Sequence, residues 1–368
     1  AGVVGSIVAC VHMDHSGQDA RVQIAARLKA LKWLQVVVDM IDADDAHVFP
    51  QVIPALIHTL RNPEPRVVSR SLCVLATIAN KGHALSTATH THTHTYAHIT
   101  YDAAARTGCS AQGGMLSGIM RDLLGLFKTD EGAGILEVRG GAIIKELCVL
   151  LDAETVYLEI AAAIAGLDDC DMRMAHIVID KMTLVLLTVP ELSALRNVLV
   201  RQQHIACDTL NSLTPAHRPP LFPGDCRLEN KEITTKEGGG GGMKLFDALY
   251  ETWHRFPGSA LCVCLLAGEH RRASELVYSM ALLLRDLPPP ETLQLLVQLD
   301  KLVQLIESPA FAPLRLQLLS PQQHPHLVKA LYGILMLLPQ SEAFEILGKR
   351  LKSVPTLALL SLASMSHI

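Results

Sequence analysis

Along this chain, hydrophobic residues recur at spacings of three and four, the period of an amphipathic helix. Over residues 19–40, Val22, Ala25, Ala26, Leu28, Leu31, Leu34 and Val38 keep that rhythm. A second stretch, 48–60, stops at Asn62-Pro63-Glu64-Pro65. Pro63 cannot continue a helix, whereas Pro65 suits the first turn of the next. That third helix carries Val67, Val68, Leu72, Leu75 and Ile78 on one side and is expected to end near Ala79. The pattern resumes over 115–127, 138–151, 172–199, 245–284 and 291–351, with breaks at Leu287-Pro288-Pro289-Pro290, Ser308-Pro309 and Leu338-Pro339. Two antiparallel helices joined by a tight turn leave one apolar face uncovered, so each hairpin must stack on a neighbour.

Two segments depart from this rhythm. Residues 83–112 contain the alternation His90-Thr91-His92-Thr93-His94-Thr95, and residues 202–243 contain Pro215, Pro219, Pro220, Pro223 and the run Gly238 to Gly242. Both read as loops or disordered insertions. Setting them aside leaves roughly seven helical pairs at the ~40–47 residues of HEAT or armadillo units. The expected fold is all-α, an α-solenoid of stacked HEAT/armadillo-like helical hairpins. The expected division is helical repeats over 1–82, a His/Thr insertion over 83–112, repeats over 113–201, a Pro/Gly-rich insertion over 202–243, a C-terminal helical block over 244–354, and a tail over 355–368.

Composition supports this picture. Aromatic residues are only 4% against 49% hydrophobic overall, and a Leu, Ala and Val mass suits helices better than a β-sandwich. The net charge of −4 supplies no broad cationic field for a phosphate backbone, so no nucleic-acid partner is expected. Nine cysteines, an odd number without a CxxC pair, argue against both a disulfide framework and a structural zinc site and point to a reducing compartment. The longest apolar run, residues 330–338, is about half of the ~20 residues a bilayer span needs. Residues 1–13 lack a basic leading segment and read as the end of a helix rather than a signal peptide.

Candidate chemistry is sparse. If extended, His90, His92 and His94 would share one face, but a metal needs ligands held by a packed second shell, which a low-complexity loop does not supply. The glycine run is followed by Met243-Lys244-Leu245, whereas a phosphate loop needs glycine before the lysine and Ser or Thr after it. Asp168-Asp169-Cys170-Asp171 is expected to cap the following helix rather than hold a metal. Cys262 and Cys264 are expected to be core thiols. No nucleophile elbow, H-E-x-x-H or kinase set occurs. The expectation is therefore no enzyme, no catalytic residue, no cofactor and no metal.

The C-terminal block is more informative. Leu295, Leu299, Leu302, Val303 and Ile306 form one face of a helix, and Asp300, Gln304 and Glu307 form another. Over 327–338 the helix is apolar nearly all round. Leu327, Leu331, Leu335 and Leu338 make one stripe, and Val328, Tyr332 and Met336 a second. Such a helix is either central in the stack or covered by another chain. On the second reading Asp300, Lys301, Gln304, Arg315, Tyr332 and Met336 are the candidate partner-binding residues.

The wording of several segments resembles one family. These segments are residues 298–309 (QLDKLVQLIESP), 314–319 (LRLQLL) and 329–340 (KALYGILMLLPQ), with 31–34 (LKWL), 136–140 (LEVRG), 147–154 (LCVLLDAE) and 191–197 (ELSALRN). They are similar to the vacuole-morphology HEAT-repeat scaffold of the PIKfyve-type lipid kinase complex, in the same order along the chain. The resemblance implies a non-catalytic scaffold, of which this chain would be roughly the C-terminal half. It implies three partners: a second copy through the C-terminal block, a phosphatidylinositol 3-phosphate 5-kinase, and an opposing Sac-type 5-phosphatase. It further implies control of phosphatidylinositol 3,5-bisphosphate from a cytoplasmic position, peripheral on endosome and vacuole membranes. Kinase contacts would draw mainly on repeats upstream of this segment. The His-Thr and glycine-rich insertions are not family features. The alternative, an armadillo-like transport adaptor reading peptides along a groove, calls for ladders of Trp and Asn, and only Trp33 and Trp253 are present.

Overall fold

The computed structural model describes residues 6, 9, 20–41, 48–89, 114–200 and 245–354, and every regular element among them is helical. The chain divides into two compact units, Ala1–Leu192 and Ser193–Ile368.

In the first unit the helices are α1 (Ala20–Met40), α2 (Phe49–Thr59), α3 (Pro65–Thr89), α4 (Gly114–Phe127), α5 (Asp130–Leu150), α6 (Ala153–Ala165) and α7 (Met172–Thr188). They alternate between two layers, with α1, α3, α5 and α7 side by side in one and α2, α4 and α6 in the other. Bonds between layer neighbours fix their direction. Gln35 Nε2 donates to Thr77 Oγ1 at 2.7 Å and Lys81 Nζ to the Asp39 carbonyl at 2.6 Å, so residue numbers rise together on α1 and α3. Arg139 Nη1 donates to the Asn62 carbonyl at 2.6 Å and Ser69 bonds Glu146, which aligns α5 with α3. Lys181 Nζ donates to the Glu137 carbonyl at 2.7 Å, and Lys145 pairs with Glu191 at 3.6 Å, which aligns α7 with α5. The helices of this layer thus all run in one direction, as stacked hairpins require.

The second unit repeats the scheme with α8 (Leu245–Trp253), α9 (Pro257–Ala267), α10 (His270–Asp286), α11 (Pro289–Ile306), the short α12 (Ala312–Gln317), α13 (Pro325–Leu337) and α14 (Glu342–Lys352). Helices α9, α11 and α14 form one layer, and α10 and α13 pack together in the other. Helix α9 is buried on all sides, from Gly258 to Ala267, and ends at Gly268, whose φ of +87° is the left-handed C-terminal conformation that glycine adopts without strain. Fully buried Leu and Ile side chains such as Leu299, Leu331 and Ile334 each contribute roughly 1.5–3 kcal/mol of transfer free energy.

Local chemistry explains where several elements begin and where the sequence pattern misjudged them. Helix α5 starts at Asp130, well before the expected residue 138, because Thr129 caps it by accepting from the Gly132 N–H at 3.1 Å. A Cβ at Gly132 would stand 1.9 Å from the Leu126 carbonyl oxygen; the glycine that thins the apolar rhythm is what permits the tight α4–α5 turn. The pattern over 172–199 is not one helix. It breaks at Val189, which is extended, and Pro190, which has no N–H to offer. Helix α3 runs on to Thr89, so the first residues of the expected 83–112 insertion are helical. Asp171 makes no side-chain cap to α7 and instead takes Lys128 Nζ at 2.6 Å. The His-Thr tract at 90–95, the insertion over 202–243 with its glycine run, and the tail over 355–368 lie outside the described residues.

Candidate partner-binding site

Among the described residues no group of three or more His, Cys, Asp or Glu side chains is placed to hold a metal, and no single helix is long and apolar enough to cross a membrane. Cys148, Cys262 and Cys264 are buried, and Cys73 is half-buried. Burial pushes the Cys148 thiol up to about 12, so it stays protonated and behaves as a small hydrophobe. Among the described residues, the outward helix faces are what other molecules can reach.

The first such face belongs to α11. Its buried side carries Leu295, Leu299, Leu302, Val303 and Ile306, and its outward side presents Lys301 and Gln304 together with Leu293, 64% exposed, and Val297. Asp300 is the pivot. One carboxylate oxygen accepts from Gln304 Nε2 at 3.0 Å and the other from Ser341 Oγ at 2.9 Å. Ser341 in turn caps α14 by accepting from the Phe344 N–H. Asp300 therefore links α11 to the start of α14. A second bridge lies further along, where Arg350 Nε meets Glu307 at 3.0 Å within a two-pronged pair. These bonds run in the same direction along both helices, so α11 and α14 are parallel.

Arg315 is committed elsewhere. Its Nη1 donates to the carbonyls of Ile306 and, at 2.7 Å, Ser308, where it satisfies the open C-terminal end of α11. Tyr332 and Met336 lie on α13, in the other layer, and are not brought together with Asp300, Lys301 and Gln304. The structure resolves the two stripes of α13. Leu327, Leu331 and Leu338 are core, Leu335 is half-buried, and Val328 is buried, whereas Tyr332 and Met336 reach solvent.

The layer that contains α13 is tied to its neighbours by polar and aromatic groups. His270 Nε2 and Gln317 Oε1 are 2.8 Å apart, the His270 ring meets His324 edge-on at 5.8 Å, and Ser274 Oγ lies 3.5 Å from His326 Nδ1. Burial lowers the His270 pKa to about 4, opposed by the Gln317 bond and aided by His324 and His326. Arg272 lies over the rings of Phe246 and Tyr250, 5.2 and 4.9 Å from their centroids, and pairs with Asp247 at 3.4 Å; it fastens α8 to α10.

A family profile described as "Vacuolar protein 14 C-terminal Fig4p binding" matches residues 133–217 and 225–354, more than half of the chain. The chain belongs to the Vac14 family. "Protein VAC14 homolog" of Arabidopsis thaliana is 40% identical over 231 residues, which cover 62% of this chain and 25% of that protein. The protein of the same name from Schizosaccharomyces pombe is 29% identical over 330 residues, 90% of this chain and 31% of its own length. "Vacuole morphology and inheritance protein 14" of Saccharomyces cerevisiae is 32% identical over 238 residues, 64% of this chain and 21% of its own. This Vac14 segment thus spans between a fifth and a third of the relatives it matches. The outward faces of α11 and α13 both fall in the second matched stretch, 225–354. Periodicity found their candidate residues but missed Leu293 and Val297, which lie seven and three positions before Asp300 on the same face and are exposed.

Proposed function

We propose that this chain is a non-catalytic scaffold that joins a phosphatidylinositol 3-phosphate 5-kinase to a Sac-type phosphoinositide 5-phosphatase. It would thereby control synthesis and turnover of phosphatidylinositol 3,5-bisphosphate on endosomal and vacuolar membranes. The observation that carries this reading is the match of a Fig4p-binding profile to the helices that expose the α11 and α13 faces. The physical role is to raise the effective concentration of two opposing enzymes around one lipid pool, which needs rigid docking faces and no reaction centre. The 244–354 block supplies the phosphatase contact and self-assembly, kinase contacts draw on repeats that the longer relatives carry upstream, and membrane association is peripheral, through partners.

Within that block Lys301, Gln304, Tyr332 and Met336 are the residues assigned to direct contact, while Asp300 and Arg315 hold the helices that present them. The test is co-purification of the kinase and the phosphatase with the tagged full chain. Recovery of the phosphatase with wild type and its loss in Lys301→Glu combined with Gln304→Ala supports the reading. Wild-type chain that recovers no phosphatase overturns it.

A further inference from the structure

The register of α10 against α13 builds a surface that neither helix shows alone. A Cβ on Gly333 would stand 2.6 Å from Val277 Cγ1, a close approach that glycine allows, and Ser274 sits against His326 nearer the amino ends of both helices. The two helices therefore run side by side in the same direction. That register sets Tyr278 and Leu282 of α10 level with Tyr332 and Met336 of α13. All four are open to solvent, at 68%, 47%, 38% and 83% exposure. Two large apolar side chains, one turn apart, on each of two parallel helices make a shallow apolar trough. Towards the amino ends it gives way to a polar margin of Arg271, Glu275, His326 and Lys329, all exposed. Arg271 pairs with Glu275 at 3.1 Å, so two cations face one carboxylate there.

We propose that this trough is the docking surface for one amphipathic helix of the phosphatase. The apolar face of that helix carries anchors one turn apart, and the end nearest Lys329 carries a carboxylate. The inference rests on the scaffold reading above and deepens it. Three observations fix the occupant. A trough between two parallel helices accepts a third helix by ridge-into-groove packing. Its surplus positive charge lies at one end, which selects an acidic terminus on the incoming segment. The four apolar residues all lie in the stretch matched by the Fig4p-binding profile. A second copy of this chain fits worse. Antiparallel pairing of two such troughs lays Lys329 of each against the apolar end of the other, and parallel pairing brings the cations together.

The experiment uses the full chain with the phosphatase, and reads co-purification, melting temperature and molar mass by light scattering. Tyr278→Ser with Met336→Ser removes two exposed anchors without touching the core, and phosphatase recovery is expected to fall about tenfold or more, as for loss of interface anchors. Lys329→Glu is expected to lower recovery a few-fold and to reduce its sensitivity to salt. Melting temperature and molar mass are expected to stay at wild-type values. Undiminished recovery by both variants, with wild type binding, overturns the docking surface and leaves the scaffold reading standing. A change in molar mass without loss of phosphatase overturns it too, because the trough would then join copies of the chain. Wild-type chain that recovers no phosphatase removes both readings together.

Discussion

Asp300 and Lys301 are neighbours on one helix with opposite duties. Asp300 holds both Gln304 and the Ser341 cap of α14, whereas Lys301 is exposed. Asp300→Ala is expected to cost about 1 kcal/mol, one net hydrogen bond and a weakened cap, which lowers the melting temperature by roughly 2–4 °C. Lys301→Ala is expected to leave it unchanged, as thermal melts followed by circular dichroism would show. His270 gives a pH signature. Its folded pKa of about 4 lies below the ordinary ~6.5, so the fold favours the neutral ring. Between those values the unfolded chain binds the extra proton. This stability is complete above about pH 6.5 and is lost as pH falls towards 4. His324 and His326 face the same ring, and Arg271, Glu275 and Lys329 act on His326. Melting temperature is expected to fall less steeply over that window in His270→Gln, which can keep a bond to Gln317, than in wild type.

Among the elements, Gly333 marks the close approach of α10 and α13. Gly333→Ala forces Val277 aside and is expected to destabilise by about 1–3 kcal/mol, the range for overpacking. Adding Val277→Ala makes room and should restore part of the loss; equal melting temperatures for the single and double variants would contradict the close α10–α13 approach. Much of this architecture is legible in the sequence because each helix keeps a clean three–four period beside proline breaks. What escaped was decided by neighbours. The early start of α5 depends on Gly132 passing the Leu126 carbonyl, and the break after α7 depends on Val189 and Pro190 within a continuing helical rhythm. The division of α13 into a buried stripe and the exposed Tyr332 and Met336 depends on which side Val277 approaches, and nothing in the spacing of its leucines records that. Arg315 shows the same limit: its type suits an interface, but its position beside the last carbonyls of α11 takes it inward.

At the scale of the molecule, each unit is a two-layer stack in which a helix answers mainly to the helices it touches. Removing the Glu307–Arg350 bridge by Arg350→Ala is therefore expected to hasten amide exchange in α14 and its partners α11 and α13. Helix α8, which packs on α9, is expected to keep its wild-type rate. Uniform acceleration through the whole unit would show that it melts as one block. The shared direction of layer neighbours has an electrical side as well. Peptide dipoles within one layer point the same way, and those of the facing layer point oppositely. Each long edge of a stack therefore carries a row of partly positive helix starts beside a row of partly negative helix finishes. The edges are banded rather than neutral, and a charged molecule sliding along one would be held to a single lane.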